Sequence, residues 1–308
     1  MGRVVTMATL DDLLEKTSRT FALSIPMLPE PTRRHVGIAY LLFRIADTFE
    51  DAWRWPRDRR IAALSDLERL LRGEGSATAS AASWLSDLPV THAGYLELLR
   101  ETPHVLDAYA AMPDAAREAL RGDLTRTVVG MQDVVRRGDE RGNLRLASIR
   151  ELRDYCYVVA GIVGEMLTAL FLIDRPELSP VAKHLSRRSR FFGEGLQLVN
   201  ILKDRASDAT EGRVYLPAGI EPAVVFDIAR ADLDRAYEYV RTLQQAGAPE
   251  GFVAFTASPA ILARASLERI EERGPGAKIT RDEVGALMEA MFDRLNSGSD
   301  PFSPRKGV

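Results

Sequence analysis

Two aspartates four residues apart, Asp204 and Asp208, lie in the segment QLVNILKDRASDATEGRVYLP. On a helix this spacing puts both carboxylates on one face, where Gln197 and Asn200 fall with them inside an arc of about 80°. The remaining directions are apolar, filled by Leu196, Leu198, Val199, Ile201 and Leu202. A polar stripe on such a helix must face something other than bulk water, because buried carboxylates need partners. Paired carboxylate oxygens suit Mg²⁺, which shares its coordination shell with waters and phosphates.

A second pair repeats the spacing in GIAYLLFRIADTFEDA, where Asp47 and Asp51 share a helix face with Tyr40 and Arg44 inside an arc of about 60°. A single pair of this kind occurs on many solvated helices. Two copies on two apolar helices indicate instead that the acid stripes face each other across a cavity. Four converging carboxylates repel one another unless metal is bound.

These motifs resemble the squalene/phytoene synthase family, the head-to-head trans-prenyl transferases. The resemblance runs over about residues 18 to 295, and its motifs are specific in combination. The matching segments are DTFED at 47–51, DRASD at 204–208, SRTFALSIPMLP at 18–29, YCYVVAGIVGE at 155–165 and GRVYLP at 212–217. The resemblance implies a single-domain isoprenoid-synthase-type helical barrel around a central apolar cavity.

The resemblance also assigns roles to residues. Tyr155 becomes the catalytic tyrosine, whose ring can stabilise a carbocation and whose hydroxyl can relay a proton. The four aspartates become catalytic metal ligands. The residues expected to bind the substrate diphosphate are Ser18, Arg19, Tyr40, Arg44, Gln197, Asn200, Lys203 and Arg213.

Several of these positions have an alternative interpretation. Ser18 and Arg19 could be a helix cap and a solvated arginine. Arg44 could pair with Asp47 as well as bind diphosphate. The small residues Ala160, Gly161 and Gly164 could serve tight helix packing or the approach of a ligand.

Two residues depart from the family pattern in the second motif. Lys203 replaces the usual arginine, which keeps the charge but loses bidentate geometry. Ser207 stands where a glutamate often precedes the last aspartate. Metal binding should survive both changes, whereas substrate preference or rate could differ.

Composition excludes several classes of protein. The chain has 308 residues and a net charge of −3, which argues against a nucleic-acid partner. Its single cysteine, Cys156, cannot form an intramolecular disulfide, so the cytoplasm is the expected compartment. We find no apolar run of the length of about 18 residues that a bilayer span requires. A cytoplasmic protein is expected, with peripheral membrane contact for product release.

Helical periodicity extends nearly throughout, so the predicted class is all-α. Helices are expected near 95–110, 114–137, 148–173, 177–209, 223–246, 250–272 and 280–296. The predicted organisation is an N-terminal segment at 1–17, one prenyl-synthase domain at 18–296 with an exposed loop region at 73–94, and a disordered tail at 297–308.

The predicted function is magnesium-dependent condensation of two farnesyl diphosphates, through presqualene diphosphate, to squalene or a related thirty-carbon product. Squalene would need NADPH as a second cofactor. The alternatives within the enzyme class are a phytoene synthase that uses two geranylgeranyl diphosphates and a class I terpene synthase on the same fold. The alternative from another class is a catalytically inactive assembly subunit or a lipid-binding helical protein.

Overall fold

The structure is a computed structural model that describes residues 7–18, 21–139, 143–210 and 212–302. The predicted all-α class is confirmed, because helices account for nearly all of the regular structure. The chain separates into two compact units. The first comprises Met1–Pro26 and Glu30–Leu144, and the second comprises Met27–Pro29 and Arg145–Val308.

The first unit is built around one buried helix. Its helices are α1 Met7–Thr17, α2 Phe21–Ser24, α3 Thr32–Glu50, α4 Arg57–Leu71, α5 Ala77–Leu85, α6 Ala93–Arg100, α7 Thr102–Ala110 and α8 Asp114–Arg137. The helix α3 packs against α1, α4, α6, α7 and α8. Ile38, Leu41, Leu42 and Ile45 of α3 are fully buried. This burial on several sides fixes the direction in which the polar residues of α3 point.

The predicted exposed loop at 73–94 differs from the structure, which has the helix α5 there. Ser76 caps this helix by accepting a hydrogen bond from the Ala79 amide. Trp84 is only 3% exposed and packs edge-on against Phe49, with ring centroids 4.6 Å apart. The alanine-rich stretch has high helix propensity, and burial of Trp84 adds apolar contact that composition alone does not reveal.

The second unit is built around a 29-residue helix. After the strand β1 Leu144–Arg145, its elements are α9 Ile149–Cys156, a π-helical turn Tyr157–Gly161, α10 Ile162–Asp174, a 3₁₀ segment Pro176–Val181, α11 Ala182–Thr210, β2 Arg213–Val214, α12 Pro222–Gln245, α13 Glu250–Arg273 and α14 Arg281–Asn296. The helix α11 packs against α9, α10, α12, α13 and the π-helical turn. The expected helices of this unit agree with these bounds within a few residues.

Two glycines let α11 approach the π-helical turn and α10 closely. A Cβ on Gly164 would lie 2.0 Å from the Ser189 carbonyl oxygen, and a Cβ on Gly193 would lie 1.9 Å from that of Ala160. Both distances are far inside van der Waals contact. The small residues of YCYVVAGIVGE therefore serve tight helix packing.

The continuous helical stretch from α9 to α10 corrects the prediction that no apolar run is long enough for a bilayer. Ile149–Asp174 is 26 residues long and reaches a mean hydropathy of 2.1 in its most apolar window, half of which is buried inside the structure. Glu165 is the one charged residue between positions 155 and 173, and it does not offset the apolar residues around it. By length and composition alone, this helix could cross a membrane.

The predicted disordered tail begins too early. Phe302 is 3% exposed, and its ring stacks on Tyr237 with centroids 3.6 Å apart and an interplanar angle of 6°. Asp300 accepts a hydrogen bond of 2.6 Å from Arg241. The chain is therefore packed as far as residue 302, and residues 303–308 lie outside the described part.

Candidate functional site

The first acid stripe consists of Tyr40, Arg44, Asp47 and Asp51, and α3 places the first three on one face as predicted. Arg44 Nη1 lies 3.3 Å from Asp47 Oδ2, so the expected pair forms. Asp51 directly follows the last residue of α3, and its backbone amide donates to the Asp47 carbonyl at 2.8 Å. The side chain of Asp51 is exposed, whereas that of Asp47 is 32% exposed. The two carboxylates thus differ in their access to water.

Two tyrosines hold the Arg44 guanidinium in place. Its carbon lies 5.5 Å from the ring centroid of Tyr40 and 5.4 Å from that of Tyr95. The Tyr40 hydroxyl accepts from Arg44 Nε at 3.3 Å and donates to the Thr17 carbonyl. Burial opposes the charge of Arg44, but Asp47 and Tyr40 favour it more, and its pKa is raised. Sequence reasoning missed Tyr95, because no spacing rule links α6 to α3.

The Asp47 carboxyl of the first acid stripe has a raised pKa. Burial raises the pKa of Asp47 to about 6, the charge of Asp51 acts in the same direction, and Arg44 opposes both. The negative charge on Asp47 is therefore unfavourable in the protein without a further cation. A bound divalent ion would supply the missing positive charge.

We expect the substitution Asp47→Asn to change how stability depends on pH in the presence of a chelator. A carboxyl whose pKa is higher in the folded than in the unfolded protein stabilises the fold at a pH below its unfolded pKa. This stabilisation is lost as the pH rises through its folded pKa. Between pH 4 and 7.5 the free energy of unfolding of the parent should fall by about 1 to 2 kcal/mol more than that of Asp47→Asn, after allowance for the partial exposure of the side chain. Urea unfolding of both proteins at the two pH values measures this difference.

The matched control is Asp227→Asn, which removes an exposed acid paired with Arg230. Its stability difference from the parent should stay nearly constant over the same pH range. Magnesium added at pH 7.5 should stabilise the parent more than Asp47→Asn. A parent that gains stability relative to Asp47→Asn as pH rises would contradict the raised pKa.

Of the two residues expected to bind diphosphate at positions 18 and 19, Ser18 lies within the described part of the chain. The Ser18 hydroxyl oxygen accepts a hydrogen bond of 2.9 Å from the Phe21 amide, which supports the helix-cap interpretation. A serine hydroxyl can still donate while it accepts, so a second contact with an anion stays open to it. Arg19 lies outside the described residues, and its predicted role stays a prediction.

The second acid stripe consists of Gln197, Asn200, Asp204 and Asp208 and lies on α11 as predicted. Lys203 Nζ is 3.1 Å from Asn200 Oδ1 and 3.3 Å from Asp204 Oδ2. Arg213 Nη2 is 3.6 Å from Asp208 Oδ1. Asp204 is 43% exposed and Asp208 18%. Both acids of this stripe therefore have a cationic neighbour. The predicted opposition of the two stripes stays a prediction.

The expected catalytic tyrosine is buried and paired with another tyrosine. Tyr155 is 6% exposed, and its ring stacks on Tyr215 with centroids 4.8 Å apart. Its hydroxyl donates to the Tyr215 hydroxyl at 3.2 Å. Cys156 is fully buried and its thiol pKa is raised, chiefly by burial, so it is a small apolar residue as expected. The GRVYLP motif thus supplies both Arg213 and the partner of Tyr155.

A buried ionic cluster on α9, α11 and α12 was missed by the sequence analysis. Arg153 bridges Glu194 and Asp232, whose side chains are 0% and 1% exposed. Arg190 pairs with Glu194 at 2.7 Å, and Arg235 pairs with Asp232 at 3.1 Å. Burial raises the pKa of both acids against the arginines. Arg153 lies two residues before Tyr155, so the cluster fixes the register of α9 on α11.

We expect Arg153→Met to destabilise the chain by about 3 to 5 kcal/mol, because it leaves two buried carboxylates short of positive charge. The control Arg150→Met removes an arginine on the same helix that is 90% exposed and 3.9 Å from Asp154, and should cost less than about 0.5 kcal/mol. Urea unfolding compares the two. Adding Asp232→Asn should recover part of the loss in the Arg153→Met background but cost stability in the parent. Equal free energies of unfolding for the two arginine variants would show that the cluster contributes little to stability.

The described residues contain no group of three or more His, Cys, Asp or Glu side chains placed to hold a metal ion. Each acid stripe considered by itself offers two carboxylates. Two carboxylates are enough protein ligands for magnesium, because this ion usually keeps several waters and binds substrate phosphates. The donor set is therefore suitable for Mg²⁺ together with a phosphorylated ligand.

Comparison with known proteins identifies the family. The sequence profile described as Squalene/phytoene synthase matches residues 14–220. The chain belongs to the squalene/phytoene synthase family. This stretch contains both acid stripes, Tyr155 and Arg213. The resemblance inferred from the sequence is confirmed.

Relatives of the family agree in sequence and in fold. The squalene synthase of Schizosaccharomyces pombe is 29% identical over 208 residues, which cover 68% of this chain and 43% of that protein. The chain thus aligns with less than half the length of this relative. The structure of TcSQS with the ligand E5700 superposes with a TM-score of 0.72 at 25% identity, covering 92% of this chain and 85% of that one. The structure of a dehydrosqualene synthase with a bound ligand superposes with a TM-score of 0.60 at 21% identity, covering 94% of this chain and 96% of that one. At this identity the likeness supports the fold alone.

Proposed function

We propose that this member of the squalene/phytoene synthase family catalyses magnesium-dependent head-to-head condensation of two farnesyl diphosphates, through presqualene diphosphate, to squalene or a related thirty-carbon product. The observation that carries the proposal is the repeated acid stripe, each copy with its own cationic side chains. Arg44 accompanies Asp47, and Lys203 and Arg213 accompany Asp204 and Asp208. Relatives named squalene synthases favour the farnesyl chain length.

The residues that would hold magnesium are Asp47, Asp51, Asp204 and Asp208. Their carboxylate oxygens are the hard donors that this ion prefers, and the raised pKa of Asp47 shows that Arg44 alone does not balance its charge. The chemistry that bound magnesium supplies is neutralisation of the diphosphate charge while the allylic carbon–oxygen bond breaks.

The cationic and polar side chains bind and orient the diphosphate. Arg44 is held between two tyrosine rings, so little entropy is lost when it donates to a phosphate oxygen. Lys203 provides a point charge in place of a bidentate guanidinium. Gln197 and Asn200 lie on the same face of α11 and can donate amide hydrogens. These contacts place the leaving group before the bond breaks.

In the first condensation the electron pair of the broken carbon–oxygen bond leaves with diphosphate. The double bond of the second farnesyl chain attacks the allylic cation, and loss of a proton closes the cyclopropane ring. Tyr155 is the residue we assign to this proton, since its hydroxyl is hydrogen-bonded to Tyr215 and the pair can pass a proton between two oxygens. The ring face of Tyr155 can also stabilise the cation before the proton is lost.

The test is product analysis of the purified chain by mass spectrometry. The protein is incubated with farnesyl or geranylgeranyl diphosphate, each with magnesium or a chelator and with or without NADPH. We expect a thirty-carbon hydrocarbon from farnesyl diphosphate with magnesium, and squalene only when NADPH is present. Phytoene from the longer substrate would assign the phytoene synthase alternative. Absence of any thirty- or forty-carbon product would overturn the proposed head-to-head reaction.

A further inference from the structure

The last turn of α1 fixes both tyrosines that flank the guanidinium of the first acid stripe. The Tyr40 hydroxyl donates to the Thr17 carbonyl at 2.9 Å. The first turn of α6, which carries Tyr95, packs against the preceding residue of α1, since a Cβ on Gly94 would lie 2.3 Å from the Lys16 carbonyl oxygen. That distance is far inside van der Waals contact, so glycine is needed at this crossing. Consecutive residues of one helix thus locate the two tyrosines relative to each other.

His92 contacts both the backbone and the ring of Tyr95. Its Nδ1 accepts a hydrogen bond from the Tyr95 amide at 3.4 Å and so caps α6. The two rings lie 4.2 Å apart between centroids, with an interplanar angle of 33°. A tyrosine side chain has few torsions, so contacts at its amide and at its ring leave it little freedom. Tyr95 is thus held in place before any ligand binds.

A row of five side chains in the first unit has an arginine at its centre, and we call it the Arg44 row. Phe21 and Tyr40 have ring centroids 5.5 Å apart. The Arg44 guanidinium carbon lies 5.5 Å from the Tyr40 centroid and 5.4 Å from that of Tyr95. The ring of His92 follows Tyr95 at the far end of the row. The guanidinium is therefore held by aromatic residues from two different helices.

The ion pair of Arg44 with Asp47 is loose. Its distance of 3.3 Å exceeds the roughly 2.7 to 2.9 Å of a charge-assisted hydrogen bond. The negative faces of the tyrosine rings attract the guanidinium in competition with the carboxylate. An arginine has several N–H donors, and the Tyr40 hydroxyl accepts from one of them. Donors therefore remain for a phosphate oxygen, while the Asp47 carboxylate keeps lone pairs for a metal ion.

We propose that Tyr95 is a positioning residue for Arg44 and that His92 sets the Tyr95 ring in place. The inference rests on the proposed function, because it takes Arg44 as a ligand of the diphosphate. The Tyr95 ring keeps the guanidinium in the row and apart from Asp47. Without this ring the guanidinium closes on Asp47, and each group then occupies the other instead of binding phosphate and metal. The ring performs this role rather than the hydroxyl, so Tyr95→Phe preserves it.

The first experiment observes the Arg44 side chain without any ligand. In the full chain labelled with ¹⁵N-arginine, the Nε–Hε signal of Arg44 is the one that Arg44→Lys removes. We expect the ring currents of Tyr40 and Tyr95 to displace this signal from the position common to exposed arginines. Tyr95→Phe should leave it displaced, whereas Tyr95→Leu and His92→Ala should shift it toward the common position. A signal that stays in place in both of the latter variants would overturn the proposal.

Calorimetric binding of inorganic diphosphate in the presence of magnesium measures the consequence. Tyr95→Leu should weaken binding at least about tenfold, whereas Tyr95→Phe should stay within about twofold of the parent, because the ring face attracts the guanidinium without the hydroxyl. His92→Ala should weaken binding about threefold. His92 is exposed, so this substitution leaves the core intact and decides the matter if Tyr95→Leu does not fold. Binding by Tyr95→Phe as weak as that by Tyr95→Leu would overturn the proposal in favour of a contact with the hydroxyl.

The matched control is Ser76→Ala, which removes the cap of α5. The Ser76 hydroxyl accepts from the Ala79 amide at 3.3 Å, a bond like that of His92, but Ser76 lies outside the Arg44 row. The melting temperatures of Ser76→Ala and His92→Ala should fall by similar amounts, whereas only His92→Ala should change the Arg44 signal and diphosphate binding. Equal loss of binding in the two variants would overturn the proposal, since loss of any cap would then explain it.

The outcomes separate the positioning role from the proposed reaction. Diphosphate binding that depends on Tyr95 and His92, in a chain that yields no thirty- or forty-carbon product, would overturn the head-to-head reaction and support the positioning role. Product formation by a chain whose Tyr95→Leu and His92→Ala variants bind diphosphate like the parent would do the reverse. A parent that binds no diphosphate with magnesium would overturn both.

Discussion

Changing Asp204 to asparagine is expected to lower the rate of product formation from farnesyl diphosphate by a factor of about 10² to 10³. Asparagine keeps the shape of the side chain but removes the negative charge that would hold a magnesium ion. The carboxylate is 43% exposed and its ion pair is with the neighbouring Lys203, so the substitution should leave the fold intact. Steady-state kinetics at saturating magnesium, with melting temperature measured in parallel, checks both statements.

The control for Asp204→Asn is Asp227→Asn, which removes a surface acid of α12 that lies outside both acid stripes. Asp227 is 77% exposed and pairs with Arg230 at 2.7 Å. We expect its rate to stay within about twofold of the parent, because exposed ion pairs contribute little. A rate for Asp204→Asn that also stays within twofold, in a folded protein, would remove the second acid stripe from the mechanism.

Changing Gly193 to alanine is expected to destabilise the chain by about 3 kcal/mol or more, which is a large part of the stability of an ordinary domain. The added Cβ would lie 1.9 Å from the Ala160 carbonyl oxygen and 3.0 Å from the Gly161 amide nitrogen. Both neighbours are backbone atoms, which cannot rotate away as a side chain can. The helix α11 would therefore have to move off the π-helical turn. Urea unfolding and soluble yield are the measurements.

The control for Gly193→Ala is Gly122→Ala in the interior of α8. A Cβ at Gly122 meets nothing within 4 Å. Alanine there should stabilise the chain by about 0.5 to 1 kcal/mol, because it restricts the unfolded chain and favours helix. The opposite signs expected for the same chemical change separate close packing from helix propensity. Equal midpoints of urea unfolding for the two variants would show that the helices around Gly193 can move apart at little cost in stability.

The acid stripes could be predicted from the sequence because helical spacing is a local property. Once Asp47 and Asp204 are placed on apolar helices, the residues one turn away follow from the period of 3.6 residues. The structure confirms that Arg44 shares a face with Asp47 and that Asn200 shares a face with Asp204. The burial of the flanking leucines follows from the same pattern.

The partners from distant elements could not be predicted, because sequence patterns do not report which helices touch. Tyr95 contributes a ring to Arg44 from α6, and Tyr215 accepts a hydrogen bond from Tyr155 across 60 residues. The Arg153 cluster has the same origin, since Asp232 is 79 residues away. The sequence does contain one signal for this cluster, which is the position of Glu194. A glutamate inside the apolar part of α11 requires a buried cation, and arginine at position 153 precedes the tyrosine motif.

The measurement that tests the central claim most directly is calorimetric binding of an unreactive farnesyl thiolodiphosphate to the parent, Asp47→Asn and Asp204→Asn, with magnesium and with a chelator. If the acid stripes hold magnesium for the diphosphate, the parent will bind the analogue at least about tenfold more tightly with magnesium, and each substitution will remove most of that gain. Binding of equal strength in the chelator, or a full magnesium gain in both variants, would contradict the claim.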